Sequence, residues 1–263
     1  MATWAERRKF LIGLVIFLFI AVSVSVPAYI VWYHPPTCSD GKMNQSEEGI
    51  DCGGECSLIC QDRFLPAKVI WTRQDKIAPG VYNIASYIIN PNVDVEAFNV
   101  PYEITVFDSQ GITIQTLSGR VNIPAHKNTL AFIPNVDMGQ REPSKVVFQF
   151  KEYPVWQKVS VAMSNVLSSP SGGVDISKVL YEQDETGGSL TASIKNTTLK
   201  RYDDINIYAI LYDTDSNAIG FSKTYIKNLV GNATEDIFFS WPYPRKNTVV
   251  TKEIITVIGN VAE

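Results

Sequence analysis

The sequence predicts an all-β protein: two tandem antiparallel β-sandwich domains behind one N-terminal transmembrane helix and a small disulfide-rich module. Three observations predict it. An uncharged apolar run near the N-terminus is long enough to cross a bilayer. All four cysteines follow it directly, between positions 38 and 60. Beyond them the apolar residues fall in short, strand-like runs separated by polar turns, and no run carries a helical stripe. The 263 residues, 45% of them hydrophobic, supply a core for one or two domains. A formal net charge of −4 with 19% charged residues excludes a polybasic nucleic-acid binder and a highly charged disordered chain.

The apolar run extends from Phe10 to Tyr33 without a charge. As a helix it would span ~36 Å, enough for a hydrocarbon core with some tilt. Arg7, Arg8 and Lys9 precede it, and the next basic residue is Lys42. The positive-inside rule then places residues 1–9 in the cytoplasm, the span at 10–33 in the plasma (cytoplasmic) membrane and the rest outside. Trp32 and Tyr33 stand where an interfacial aromatic belt is expected, and Trp4 can serve the inner side. A cleaved signal peptide competes, with Ser25-Val26-Pro27-Ala28 as a loose cleavage site. The run continues past Ala28 and is longer than a usual signal core, which favours an uncleaved anchor.

Residues 34–62 form the cysteine-rich module. An even number of cysteines in an oxidising compartment reads as two disulfides among Cys38, Cys52, Cys56 and Cys60, with three possible connectivities. The alternative, a four-thiolate zinc site, lacks the paired C-x2-C spacing. Between the cysteines, Asp40, Asn44, Glu47, Glu48 and Asp51 alternate with glycines. Hard oxygen ligands on a tight loop suit calcium, with Asp40, Asn44, Glu47 and Asp51 as candidate ligands. The competing reading is an acidic loop whose side chains cap its own turns.

The pattern C-x-D-G-x-x-N-x-x-E-x-x-x-D-C-G-G-x-C resembles a module of membrane-anchored bacterial surface proteins, where it follows a transmembrane segment and precedes β-domains. The resemblance covers Cys38 to Cys60 and implies a cell-surface location. It carries no activity. Glu55 stands where those relatives often have proline.

After Cys60 the alternation marks strands at Lys68 to Thr72, Val81 to Ile89, Val100 to Phe107, Ile112 to Leu117, Thr129 to Ile133, Val146 to Phe150 and Val155 to Ala162. A second set runs Ser177 to Glu182, Ser189 to Ile194, Ile205 to Leu211, Ala218 to Ile226, Asp236 to Trp241 and Val249 to Val257. This gives one sandwich over 63–165, a linker at 166–174 and a second sandwich over 175–263. The sets look like copies. Asn90 parallels Asn196, Asp108 parallels Asp213, Ile123 parallels Leu229, and Ala131-Phe132 parallels Ile237-Phe238, at an offset of 105–106. The strand–Tyr/Phe-Asp–turn pattern resembles FxLYD-type domains of bacterial surface proteins, and more loosely LEA-type and fibronectin-like (Ig-like) sandwiches. It departs from the name motif at the leading Phe, where Ala209 stands in the second copy. The resemblance implies a sandwich used for spacing or protein contact, without catalytic residues.

No nucleophile–base–acid constellation is legible, and no enzymatic activity is expected. His34 lies at the membrane edge and His126 in a turn. No G-x-S-x-G, Walker or H-E-x-x-H motif occurs. Asp184, Asp203, Asp204, Asp213 and Asp215 sit at turns, where acids are common. Phe239-Ser-Trp241-Pro-Tyr243-Pro closes a strand and can present Trp241 and Tyr243 as a contact patch, or mark an edge strand ended by its prolines. The expectation is a structural or interaction protein with the membrane, a protein partner of the envelope and possible further copies of itself as partners. The alternative is a ligand-binding module for calcium or glycan.

Overall fold

The computed structural model describes residues 4–32, 37–60, 63–160 and 173–261. Tyr33 and His34, most of the expected linker and the end of the strand expected over Val155 to Ala162 lie outside the described residues. The chain divides after Cys56 into two compact units.

In the first unit the apolar run forms one helix, α1 (Trp4–Trp32), with Pro27 inside it. The stretch Arg7–Pro27 is long and apolar enough to cross a membrane. After it, residues 37–56 form turns and a single antiparallel bridge, Gly49 with Cys52.

The second unit is built of antiparallel strands. They are β1 (Lys68–Ala78), β2 (Val81–Ile89), β3 (Val95–Phe107), β4 (Thr113–Ile123), β5 (Asn128–Asp137), β6 (Lys145–Phe150) and β7 (Gln157–Lys158). Then follow β8 (Val174–Gln183), β9 (Gly188–Asn196), β10 (Tyr202–Tyr212), β11 (Ala218–Leu229), β12 (Thr234–Trp241) and β13 (Thr251–Val261). Every expected strand has a counterpart, and most run longer than the alternation indicated. β1 continues past Thr72 through Arg73, Gln74, Asp75 and Lys76, because these polar residues pair with β2 instead of forming a turn. β7 keeps only two residues, paired with Val95 and Glu96 of β3.

The strand order is the same in both halves. Sheet β1-β2-β5 faces sheet β4-β3-β6 in the first, and sheet β8-β9-β12 faces sheet β11-β10-β13 in the second. Inward residues of each pair make a core, including Ile84, Ile104, Val106 and Trp156 in one and Leu190, Ile207, Phe239 and Trp241 in the other.

Equivalent positions also repeat their local chemistry. The buried Asn90 amide donates to the carbonyls of Val95 (2.7 Å) and Pro124 (3.0 Å). Asn196 donates to those of Lys200 (2.7 Å) and Leu229 (3.0 Å). Asp108 accepts the N–H groups of Gln110 and Ile112, and Asp213 accepts those of Asp215 and Asn217. Left-handed backbone recurs at Asn99 and Asp204, at Gly111 and Ser216, and at His126 and Asn232.

A third apolar cluster joins the two sandwiches. Ala85, Tyr87 and Leu130 of sheet β1-β2-β5 pack with Tyr208, Ile210, Phe221, Ile255 and Val257 of sheet β11-β10-β13. Trp71 stacks between Tyr87 and Phe221 at centroid distances of 5.5 and 6.1 Å. The described part of residues 63–261 is therefore four sheets deep, with the two middle sheets covered on both faces.

Candidate functional site

In the cysteine module, Cys38 and Cys56 are joined, with Cα atoms 5.6 Å apart. Cys52 and Cys60 are also disulfide-bonded, and no described cysteine is free. Closing a loop of this length contributes about 3 kcal/mol by restricting the unfolded chain. The Gly53-Gly54 pair lets the chain pass close to itself. Both have positive φ, and a Cβ on Gly54 would lie 1.8 Å from the Ser46 carbonyl oxygen.

The acidic side chains of this loop are directed at its own backbone. Asp51 accepts the N–H groups of Asp40 (2.9 Å) and Gly41 (3.0 Å). Asp40 accepts the N–H of Lys42 (2.9 Å) and the Asn44 amide (2.8 Å). The Asn44 bond, with a further one from the Thr37 N–H, holds the Asp40 carboxyl below its ordinary range. Glu47 is buried, accepts the Asn44 N–H at 3.0 Å and lies against Cys56 Sγ. Glu47 and the sulfurs of Cys38 and Cys56 cluster closely enough to hold a metal, but a disulfide offers no thiolate. Asp40, Asn44, Glu47 and Asp51 thus form a hydrogen-bonded cage around the turn.

The Trp241–Tyr243 segment differs from the expectation. Trp241 is 1% exposed and part of the second core, packed edge-on against Tyr181. The cause is strand alternation: Ile237, Phe239 and Trp241 share the inward face of β12. Tyr243, past the end of the strand, is 38% exposed.

The remaining turn acids and His126 make local contacts. Asp184 accepts N–H groups of Thr186 and Gly187. Asp203 pairs with Arg201 at 2.9 Å, and Asp204 accepts the Tyr225 hydroxyl. His126 occupies a left-handed turn position, its N–H donating to the Asn92 carbonyl as that of Asn232 does to Thr198.

The most developed site lies along the boundary of the sandwiches, where polar contacts accompany the apolar cluster. Asp75 of β1 and Arg245 of the β12–β13 loop form an ion pair whose side chains are 5% and 8% exposed. Burial raises the Asp75 carboxyl, and the Arg245 guanidinium opposes that rise. Arg73 donates to the Ala218 carbonyl (3.0 Å) and to Asn217 (3.1 Å). Glu253 accepts hydroxyls from both sides, Tyr87 at 2.8 Å and Tyr212 at 2.7 Å. Burial, then the Glu253 carboxylate, pushes both phenols up. Beside the ion pair is a groove of about 730 Å³, with Asp75, Lys76 and Pro79 on one side and Ile219 and Tyr243 to Asn247 on the other. Nothing in the sequence singled out Arg245. Its only local signal is a position beside Pro242 and Pro244 at a strand end.

No protein-family model and no curated protein matches the chain. Among solved structures it is similar to a β-glucuronidase from glycoside hydrolase family 2, at 9% identity and TM-score 0.24, over 70% of this chain and 23% of that one. It is also similar to red sea bream transglutaminase, at 10% identity and TM-score 0.21, over 73% and 31%. A third is a β-galactosidase described as putative, from Bacteroides fragilis, at 13% identity and TM-score 0.20, over 68% and 33%. The chain spans a third or less of the length of each. Likenesses of this size carry no weight for fold or activity.

Proposed function

We propose that the chain is a single-pass membrane protein with its N-terminus in the cytoplasm. It displays two β-sandwiches of common origin outside the plasma membrane as a spacer, scaffold or accessory subunit of an envelope complex. The observation that carries this reading is the order of elements at the N-terminus. Arg7, Arg8 and Lys9 open an apolar helix, and the oxidised cysteine module follows it. The repeated Asn and Asp clasps and the repeated strand order support a duplicated FxLYD-like domain. In this reading no residue acts in catalysis, the acids serve turns, and the working feature is a rigid surface offered to a protein partner.

Intact cells treated with a membrane-impermeant amine-reactive biotin test the orientation. Lys178 and Lys252 become labelled while Lys9 does not. Labelling of Lys9 alone would overturn the reading. Crosslinking the tagged full-length protein in cells, followed by mild detergent purification, tests the role. A stoichiometric companion supports an accessory subunit, and purification as a lone monomer argues against one. Ligand binding is the second reading, favoured by the groove beside Asp75 and Arg245.

A further inference from the structure

We propose that this groove is a binding site for a small organic carboxylate with an apolar body. The reasoning begins with the Arg245 side chain. It is more than nine-tenths buried and forms part of the groove wall. Its Nη1 donates to Asp75 and, at 2.9 Å, to the Ile219 carbonyl. Its Nε–H and Nη2–H have no partner among the described residues. These two groups form one planar edge of the guanidinium, the fork that matches the two oxygens of a carboxylate. A buried guanidinium edge left unpaired is costly, and native proteins satisfy such groups with a ligand or water. The Trp241 indole N–H is also buried without a partner. It lies close to Arg245 above Gly220, where a Cβ would meet Trp241 Nε1 at 3.1 Å and Arg245 Nη1 at 3.4 Å.

The fork is held in place. The Arg245 backbone N–H donates to the Gln183 side chain at 2.8 Å, and the Gln183 amide returns a bond to the Arg245 carbonyl at 3.2 Å. This two-point clasp to β8 fixes the loop before any ligand arrives, so little ordering cost remains for binding. The lining sets the rest of the ligand. Pro79, Ile219, Tyr243 and Pro244 offer apolar and aromatic surface, and Lys76 and Lys246 add positive charge. Arg245 is set against Asp75 and Lys76 against Glu142 at 3.9 Å, which leaves Lys246 uncompensated in the lining and favours a singly negative head group. The volume falls in the usual range for small-molecule sites.

The test is isothermal titration of the full-length protein in nanodiscs, with empty nanodiscs as the blank. Three probes share one aromatic body: 3-phenylpropionate, its primary amide and 2-phenylethyl phosphate. The expected result is binding of the carboxylate at least tenfold tighter than of the other two. Arg245→Lys keeps the charge but removes the fork, and should weaken carboxylate binding by about tenfold or more. Tyr243→Ser should weaken it severalfold with unchanged thermal unfolding. If Arg245→Lys does not fold, the probe series and Tyr243→Ser decide. Equal binding of acid and amide, tighter binding of the phosphate, no binding of any probe, or indifference to Tyr243→Ser would each overturn the assignment.

Discussion

The two sandwiches share a strand order and differ in which outer face is apolar. On β10, Tyr208 and Ile210 point away from their own core, at the positions Glu103 and Thr105 hold on β3. Phe221 of β11 stands opposite Ile210, and Thr116 of β4 stands opposite Thr105. Ile255 of β13 faces Tyr208 where Gln149 of β6 faces Glu103. The other pair of sheets reverses the pattern. Ala85, Tyr87, Ile89 and Leu130 line the buried face of β2 and β5, while Thr191, Ser193, Lys195 and Asp236 hold the matching places on β9 and β12. One framework therefore carries two instructions. The inward positions specify the fold, and a handful of outward positions specify which sheet docks on which.

The largest way to break the contrast is to unbalance the buried pair at its rim. Arg245→Met leaves Asp75 as an uncompensated buried charge and should lower stability by about 3–5 kcal/mol. Adding Asp75→Leu should recover most of the loss, read from urea midpoints. The same size of effect is expected within the apolar cluster. Phe221→Ala should lose about 3–5 kcal/mol by opening a cavity, whereas Thr116→Ala at the matching position should stay within about 0.5 kcal/mol. Equal losses would mean that the interface contributes nothing. The clasps should behave alike in both copies. Asn90→Ala and Asn196→Ala each remove two hydrogen bonds made by a buried amide and should cost about 1–3 kcal/mol.

A smaller effect sharpens the comparison through pH. Glu96 of β3 is buried, and that burial pushes its carboxyl up to about 7, opposed by the Ser160 N–H. With the folded value above the unfolded one, the native state holds the proton more firmly between about pH 4.5 and 7. Stability should fall as pH rises through that window. The loss relative to Glu96→Gln, allowing for partial solvent screening, should be about 1–2 kcal/mol. A flat difference between the two proteins across pH 5–8 would contradict the assignment.

Much of the fold was legible because alternation is a local property. β2 was bounded correctly, since Val81 to Ile89 is framed by Gly80 and by Asn90. β1 was cut short because Arg73, Gln74, Asp75 and Lys76 look like solvent-facing polar residues. Arg73 and Asp75 meet Asn217 and Arg245, more than a hundred positions away, and no local pattern announces those contacts. The face-to-face docking did leave a trace. Ile205 to Tyr212 reads INIYAILY, with apolar residues at both parities toward its end, as expected of a strand covered on two sides. Glu103 to Phe107 reads EITVF and keeps a polar residue outward. At the candidate site, Trp241 was misplaced because the two prolines after it suggested an exposed end. Its strand parity with Ile237 and Phe239 pointed inward. Arg245 was invisible because burial of a loop arginine depends on a neighbour, not on its own segment.

The docking is also asymmetric in a way that bears on crowding. The face donated by the first sandwich and the face that receives it belong to different sheets, so the contact could in principle repeat from molecule to molecule without end. The polar residues at the matching positions of the two outermost sheets stop it after one step. A two-unit array terminated at both ends behaves like a repeat protein made only of its caps. On the membrane proposed for it, where tethering would raise local concentration, that termination would keep neighbouring copies from growing into a fibre.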